Sequence, residues 1–157
     1  FFDTDTLIEQ SAPSIFPEVN ADDRNMGIIK QMFTKLGETQ FRDFETQTLA
    51  EVSKYNKSAI ATGGGIVERK ENWHFLHYGL VVWLDASEEI IYKRLHQDRH
   101  DDRRPLLEQL SSRLKLRLPL YQQADLKIGI EEQSTPETVA TEIIEMIPSV
   151  LKSKPVS

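Results

Sequence analysis

The sequence predicts an α/β fold built on a parallel sheet. Short apolar runs with the character of strands alternate along the chain with longer segments whose apolar residues recur at helical spacing. This alternation is typical of units in which a helix links two parallel strands. The predicted strands are Phe1–Phe2, Ser58–Thr62, Leu80–Leu84 and Leu126–Ile130, the last of which alternates as an edge strand does.

Local signals mark the helices between these strands. Helices are predicted over Ile28–Leu36 and Phe41–Val52, because the apolar residues of each share one face. Ser87 can cap a helix whose first turn is acidic. A further helix is predicted over Leu106–Tyr121, and Thr135–Glu137 opens the last helix with a cap, a proline and an acid.

The composition limits the class of protein. A chain of 157 residues fits one domain, predicted over residues 1–151 with a frayed tail at 152–157. Its 19 Lys and Arg against 25 Asp and Glu give a net charge of −6, which indicates no broad surface for nucleic acid. The chain has no cysteine, which excludes disulfides and thiolate metal sites, and its longest apolar run, Leu80–Leu84, is too short to span a membrane. A small anionic substrate stays compatible with this charge, because a few arginines can converge locally.

Two segments depart from the regular pattern. Residues 11–27 contain two prolines, three acids and two asparagines, which predict a loop. A loop of 17 residues is long for a compact domain, so we interpret it as an insertion between two helices. The chain also begins inside an apolar segment without a signal-peptide pattern, which we interpret as a missing upstream segment.

The first motif with chemical potential is Asp3-Thr4-Asp5, at the end of the first predicted strand. Ligands of open α/β sheets bind beyond the carboxyl ends of the strands. Two carboxylates placed there can divide two tasks, one holding a magnesium ion and the other accepting a proton from a hydroxyl. A solvated pair in which Asp5 only caps the following helix explains the same residues.

Glycines and arginines form the other candidate sites. Gly63, Gly64 and Gly65 follow the second predicted strand, where they can let the backbone approach a ligand or simply make a tight turn. No Gly-Lys-Ser or Gly-Lys-Thr follows them, so they are not a Walker A loop. The arginines stand near loops or helix ends, where each could bind a carboxylate or phosphate or lie solvated on the surface. They are Arg42, Arg104 and Arg117.

In this order, the motifs resemble those of the shikimate kinase family. The matching segments are FFDTD, GETQFRDFE at Gly37–Glu45, IATGGGIV, VVWLDAS, RPLL, RLPLY and Ala124–Asp125. The resemblance covers the chain apart from residues 11–27 and is nearest to bacterial and cyanobacterial members. It implies a P-loop kinase-like, three-layer α/β/α fold with a parallel sheet in the order 2-3-1-4-5. It also implies ATP-dependent phosphorylation of the shikimate 3-hydroxyl to shikimate 3-phosphate, on the route to chorismate and the aromatic amino acids.

The resemblance also implies roles on the shikimate side of the site. Asp3 is expected to help hold Mg²⁺, and Asp5 to bind the shikimate hydroxyls and assist removal of the attacking proton. Arg42 and Arg117 are expected to clamp the shikimate carboxylate. Gly63–Gly65 are expected to line the substrate pocket.

On the nucleotide side, the resemblance implies a mobile lid over about residues 97–105. Arg104, at the foot of that lid, is expected to reach the transferring phosphate oxygens, and Pro136 to lie near the adenine of ATP. The partners implied are shikimate and ATP, with no nucleic acid and no membrane. The implied protein is a cytoplasmic monomer, or a plastid one in a photosynthetic eukaryote.

The sequence departs from the family pattern before its first strand. Members carry a strand and a P-loop, GxxGxGK[ST], ahead of the FFDTD segment, and the 157 residues contain neither. We expect this first, central strand of the 2-3-1-4-5 sheet to be absent from the chain and the chain alone to be inactive, because the P-loop binds the ATP phosphates. Two alternatives stay open: a non-catalytic relative that binds a ligand or partner, and another small-molecule kinase of the P-loop class.

Overall fold

A computed structural model of the protein describes residues 1–23, 26–95 and 103–153. Contacts within the chain group these residues into two compact units, one from Phe1 to Gly79 and one from Leu80 onward. None of the helices in the described ranges is long and apolar enough to cross a membrane.

The first unit is built on a parallel pair of short strands with helices around it. Its elements, in chain order, are β1 (Phe2–Asp3), α1 (Thr4–Ile15), α2 (Ile28–Gln31), a π-helical turn (Met32–Leu36), α3 (Glu38–Val52), β2 (Ile60–Ala61), a 3-10 turn (Ile66–Glu68) and α4 (Lys70–Leu76). Phe2 pairs with Ile60 and Asp3 with Ala61. Because both strands run the same way, Asp3 and the glycines after β2 lie at one edge of the pair.

The core of this unit forms between its helices. Side chains of α1, the segment after it and the helices 28–52 pack there: Ile8, Ala12, Val19, Met32, Phe41 and Phe44. Burial of this apolar set fixes α3 against α1, and α3 carries Arg42.

The second unit contains the other parallel pair. Its elements are β3 (Val82–Ala86), α5 (Glu88–Leu95), α6 (Arg103–Tyr121), β4 (Leu126–Ile130) and α7 (Pro136–Ser153). The pairing runs in register from Val82 opposite Leu126 to Ala86 opposite Ile130. Alternate residues of β4 are buried beside Val139, Ile143 and Val150 of α7.

These pairings fit the sheet order expected from the family resemblance. In the order 2-3-1-4-5, strand 2 is beside strand 3 and strand 4 is beside strand 5, and the structure forms those two pairs from β1–β2 and β3–β4. The predicted helix starts at Ser87 and Thr135 are confirmed, since Ser87 Oγ accepts from the Ile90 N–H at 3.3 Å and Thr135 Oγ1 from the Thr138 N–H at 3.3 Å.

The start predicted for α6 was wrong. The helix begins at Arg103 rather than at Leu106, so Pro105 lies inside its first turn. A proline is tolerated there because the first N–H groups of a helix have no partner within it.

The prediction of a loop over residues 11–27 was wrong for its first five residues. α1 continues through Pro13 to Ile15, and the buried side chain of Ala12 anchors that last turn in the core. The helix ends at Phe16, which has an extended backbone and precedes Pro17, whose ring disfavours helical geometry in the residue before it. Tertiary burial therefore outweighs the lost backbone hydrogen bond at Pro13.

The rest of that segment is tied to α2 by the buried side chain of Gln31. Its amide oxygen accepts from the Asn20 N–H at 2.9 Å, and its amide nitrogen donates to the carbonyls of Asn20 and Met26, each at 2.8 Å. Val19, 3% exposed, adds an apolar anchor. The Gln31 side chain thus provides partners for backbone groups of this segment, and Lys35 Nζ adds a hydrogen bond to the Glu18 carbonyl at 2.8 Å.

Replacing Gln31 by alanine is expected to destabilise the protein by about 1–3 kcal/mol, because it leaves buried backbone groups without partners. Denaturant unfolding measures this loss, and hydrogen exchange should show faster opening of the Asn20 amide. The exposed Gln47 on α3 provides the matched control, Gln47→Ala. Equal stability of the two variants would contradict the anchoring role of Gln31.

Candidate active site

Two carboxylates stand where β1 passes into α1. Asp3 is the N-cap of the helix, and its Oδ1 accepts from the Thr6 N–H at 3.0 Å. Asp5 lies in the first helical turn, partly withdrawn from solvent. Burial raises the pKa of the Asp5 carboxyl, the charge of Asp3 raises it further, and Arg42 opposes the shift. A carboxyl whose pKa is raised in this way is a better proton acceptor than an ordinary aspartate.

Gly63 lets the end of β2 approach Asp5. A Cβ atom at Gly63 would lie 3.1 Å from Asp5 Oδ1 and 3.4 Å from Oδ2, which is tighter than most such contacts. The turn that follows is fixed by α4, where Asn72 Nδ2 donates to the Ile66 carbonyl at 2.8 Å and Trp73 Nε1 to that of Val67 at 3.0 Å. The structure therefore brings the two sequence motifs together at one strand edge.

Arg42 is the buried cation of this site, with only 9% of its surface exposed. Its Nη1 donates to Glu45 Oε2 at 2.8 Å, one helical turn along α3. The guanidinium carbon lies 5.7 Å from the ring centre of Phe33 and 5.3 Å from that of Phe41. These contacts hold the side chain in one place, since two rings and a charged partner restrict it.

Gly65 makes room for that guanidinium. A Cβ atom there would overlap Arg42, with its guanidinium carbon only 2.8 Å away. Because Arg42 is itself packed and ion-paired, it cannot move aside without losing those contacts. The absence of a side chain at Gly65 is therefore a requirement of the site.

Gly65→Ala is expected to displace Arg42 and weaken the binding of any anion at that side chain by at least tenfold, the effect of about 1.4 kcal/mol. Gly79→Ala is the matched control, because a Cβ at Gly79 would meet nothing within 4 Å. Ligand titration of both variants, with thermal unfolding alongside, measures the effect. Unchanged anion affinity in Gly65→Ala would contradict the packing requirement.

One edge of the Arg42 guanidinium has unused hydrogen-bonding capacity. The Nε–H and Nη2–H groups point the same way from that edge and can bind one carboxylate at two points. Within the described part of the chain, Nε is buried and has no hydrogen-bond acceptor. The carboxylates near Nη2 are Glu68 at 3.5 Å and Glu38 at 3.7 Å, both beyond the 2.7–2.9 Å typical of a charged hydrogen bond.

Sequence inspection missed Glu45 as a site residue. Its side chain is 2% exposed, and burial raises the pKa of the Glu45 carboxyl while the hydrogen bond from Arg42 opposes that shift. The spacing Arg-x-x-Glu on a helix was an available signal, because residues three apart share a face. Phe33, Phe41 and Glu68 were also missed, and only the fold shows that they meet Arg42.

The structure assigns the remaining predicted site residues to the following elements. Gly64 is in the turn after β2, and Pro136 is the first residue of α7. Arg104 belongs to the first turn of α6, and Arg117 is partly buried near its end. Arg104, Arg117 and Pro136 belong to the second unit, so the structure does not test their predicted roles beside Asp5 and Arg42. Most of the predicted lid, residues 97–102, lies outside the described residues.

Asp3 and Asp5 provide the oxygen ligands that Mg²⁺ prefers. Burial is the larger cause of the raised pKa of Asp5 and the charge of Asp3 adds to it, and a cation would relieve the repulsion between the two carboxylates. Within the described ranges, no group of three or more His, Cys, Asp or Glu side chains could hold a metal ion. Two carboxylates one residue apart fit Mg²⁺, which commonly takes one or two carboxylates and completes its shell with phosphates and water.

The fold and site together are those of an α/β protein that binds a small ligand. Two acids and closely packed glycines lie at the carboxyl ends of parallel strands, where α/β proteins bind such ligands, and a buried arginine from α3 lies beside them. The unsatisfied edge of Arg42 indicates that the ligand is an anion.

Comparison with known proteins defines the family. A shikimate kinase family model matches residues 1–148. A shikimate kinase of Trichormus variabilis is 45% identical over 158 residues, covering 97% of this chain and 78% of that protein. One of Nostoc punctiforme is 51% identical over 130 residues, covering 79% and 70%. The chain therefore belongs to the shikimate kinase family.

Solved structures agree with this assignment. A shikimate kinase from Acinetobacter baumannii in complex with shikimate has a TM-score of 0.74 and 29% identity, covering 98% of this chain and 80% of that one. A shikimate kinase from Bacteroides thetaiotaomicron, at 24% identity, gives a TM-score of 0.74 over 97% and 82%. These neighbours confirm the predicted P-loop kinase-like α/β/α fold class.

Proposed function

We propose that this chain provides the shikimate-binding and catalytic residues of a shikimate kinase, which transfers the γ-phosphoryl group of ATP to the shikimate 3-hydroxyl. The γ-phosphorus forms a bond to the hydroxyl oxygen and breaks its bond to the β–γ bridging oxygen. The hydroxyl proton leaves to a base, and the products are shikimate 3-phosphate and ADP. This step belongs to the biosynthesis of chorismate and the aromatic amino acids.

The observation that carries the proposal is the open edge of Arg42, by which we mean the Nε and Nη2 side of its guanidinium, where the buried Nε–H has no acceptor among the described residues. A shikimate carboxylate accepting from Nε and Nη2 would satisfy a buried donor that has no acceptor among the described residues. It would also form a two-point charged pair with a guanidinium that lies against the rings of Phe33 and Phe41. A non-catalytic binding role does not need the second half of the site, the acidic pair at Asp3 and Asp5.

Asp5 is proposed to accept the proton of the attacking hydroxyl and to orient the shikimate ring through its hydroxyls. Burial and the charge of Asp3 raise the pKa of the Asp5 carboxyl, which makes it a better proton acceptor than an ordinary aspartate. Asp3 is proposed as the protein ligand of Mg²⁺, with Asp5 near by. When bound, Mg²⁺ would neutralise charge on the ATP phosphates.

The other site residues are proposed from the family motifs that they match. Arg117 would provide a second cation for the shikimate carboxylate, and Gly63–Gly65 would line its pocket. Arg104 would contact the transferring phosphate, and Pro136 would lie beside adenine. From the family resemblance, the active form is proposed to be a cytoplasmic monomer.

The activity is tested in a chain extended ahead of Phe1 by the matching N-terminal segment of the Trichormus variabilis shikimate kinase. This extended chain is chosen because the 157 residues contain no Gly-Lys-Ser or Gly-Lys-Thr to bind the ATP phosphates. We expect shikimate-dependent release of ADP, with shikimate 3-phosphate identified by mass spectrometry. The 157 residues alone are the control, expected to be inactive. A folded extended chain that binds ATP and shikimate without turnover would contradict the proposal.

A further inference from the structure

We propose that Glu38 and Glu68 compete with the substrate carboxylate for Arg42 and thereby weaken the binding of shikimate. This inference rests on the proposed function and concerns the same site. It follows from a difference in distance between the two terminal nitrogens of the Arg42 guanidinium and their neighbouring carboxylates. Nη1 is bound to Glu45 at 2.8 Å, whereas Nη2 stands 3.5 Å from Glu68 and 3.7 Å from Glu38.

Distance and burial separate these acids into two kinds. The Glu45 side chain is 2% exposed and makes a short hydrogen bond, so it holds Arg42 permanently. The side chains of Glu38 and Glu68 are 67% and 36% exposed, and their carboxylates are too far from Nη2 for a strong hydrogen bond. The carboxylate of Glu38, two-thirds exposed, can return to water at little cost, because exposed ion pairs are weak.

Both exposed acids lie near Nη2, one of the two groups that the substrate carboxylate would use. Nη2 is half of the two-point fork, and Nε beside it is the buried donor without an acceptor in the described part of the chain. A substrate carboxylate at that fork would place its negative charge within a few ångströms of Glu38 and Glu68. The two glutamate carboxylates must therefore move aside when the substrate binds. Their negative charges stay near by and repel the substrate carboxylate.

Such competition also serves selectivity. An anion that reaches only Nη2 gains one hydrogen bond and meets two negative charges. A planar carboxylate that also accepts from Nε gains a second charged hydrogen bond and therefore binds more tightly than an anion that reaches only Nη2. We therefore assign Glu38 and Glu68 to tuning affinity, and Glu45 to positioning Arg42.

The test uses the extended chain and three single variants, Glu38→Gln, Glu68→Gln and Glu45→Gln. Each of the first two is expected to lower the Kd and KM for shikimate about two- to fivefold with little change in kcat, and the double variant by more. Glu45→Gln is expected to raise both constants, because Arg42 loses its fixed partner. Glu51→Gln, on the same helix and paired with Lys54 at 2.7 Å, controls for the loss of one negative charge.

The outcomes separate this inference from the proposed function. Weaker or unchanged shikimate binding in both Glu38→Gln and Glu68→Gln would overturn the inference, as would an equal gain in Glu51→Gln. If the folded extended chain binds ATP and shikimate without turnover, the proposed function itself fails. If it turns over and the two glutamate variants do not bind more tightly, only the competition is disproved.

Discussion

Replacing Arg42 by alanine is expected to weaken shikimate binding by about 30-fold to several thousand-fold, on the order of 2–5 kcal/mol. The substitution removes the fork that the substrate carboxylate would share and leaves that carboxylate in a pocket without its charged partner. It also leaves Glu45 buried without the hydrogen bond that now accompanies it. Calorimetric titration of the extended chain with shikimate measures the loss.

A second variant separates binding from folding in this prediction. Arg42→Lys keeps the positive charge beside Glu45 but offers a single ammonium instead of a two-point fork. It is expected to unfold close to the temperature of the unsubstituted chain and still bind shikimate at least tenfold more weakly. Full affinity in Arg42→Lys would show that the geometry of the fork is not what the ligand recognises.

Asp5→Asn is expected to lower kcat by about 10²–10⁴-fold, the usual contribution of a positioned general base. The substitution keeps the shape of the side chain and removes its capacity to take a proton. Shikimate affinity should change less than kcat, because the amide can still hydrogen-bond the ring hydroxyls. Steady-state kinetics with both substrates varied distinguish the two effects.

The pH dependence provides an independent check on Asp5. Its pKa is raised by burial and by the charge of Asp3, so the protonated, inactive form persists to higher pH than for an ordinary aspartate. As the pH falls, kcat should therefore begin to decline at a higher pH than it would if the base were a solvated aspartate. Asp5→Asn should lose this decline, and Asp22→Asn, an exposed site, should keep it. An unchanged kcat and acid limb in Asp5→Asn would remove Asp5 from the reaction.

The sequence predicted the part of the site that depends on strand direction. Parallel strands bring their carboxyl ends to one edge, so Asp3, Asp5 and Gly63 could be expected together before the fold was known. The structure places them there, with only 3.1 Å between Asp5 Oδ1 and the position of a Cβ at Gly63. The need for glycine at position 65 was harder to predict, because it comes from the Arg42 side chain on α3, which a Cβ at Gly65 would overlap.

Features that depend on packing could not be predicted in the same way. A glutamate on a helix is usually solvated, and the Arg-x-x-Glu spacing puts Glu45 on the same face as Arg42 without showing that the pair is buried. Pro13 predicts a break, and only the burial of Ala12 in the core explains why α1 passes through it. For Pro13, contacts distant in sequence outweigh a local preference. The roles of Arg104, Arg117 and Pro136 stay predictions.

The most direct test of the site is to titrate shikimate and its neutral methyl ester against the extended chain and against its Arg42→Ala variant. If the open edge of Arg42 receives the carboxylate, the unsubstituted chain binds the acid at least tenfold more tightly than the ester. The Arg42→Ala variant should lose most of that preference, since the ester never used the fork. Equal binding of acid and ester by the unsubstituted chain, or a preference that survives in Arg42→Ala, would contradict the assignment of Arg42 to the substrate carboxylate.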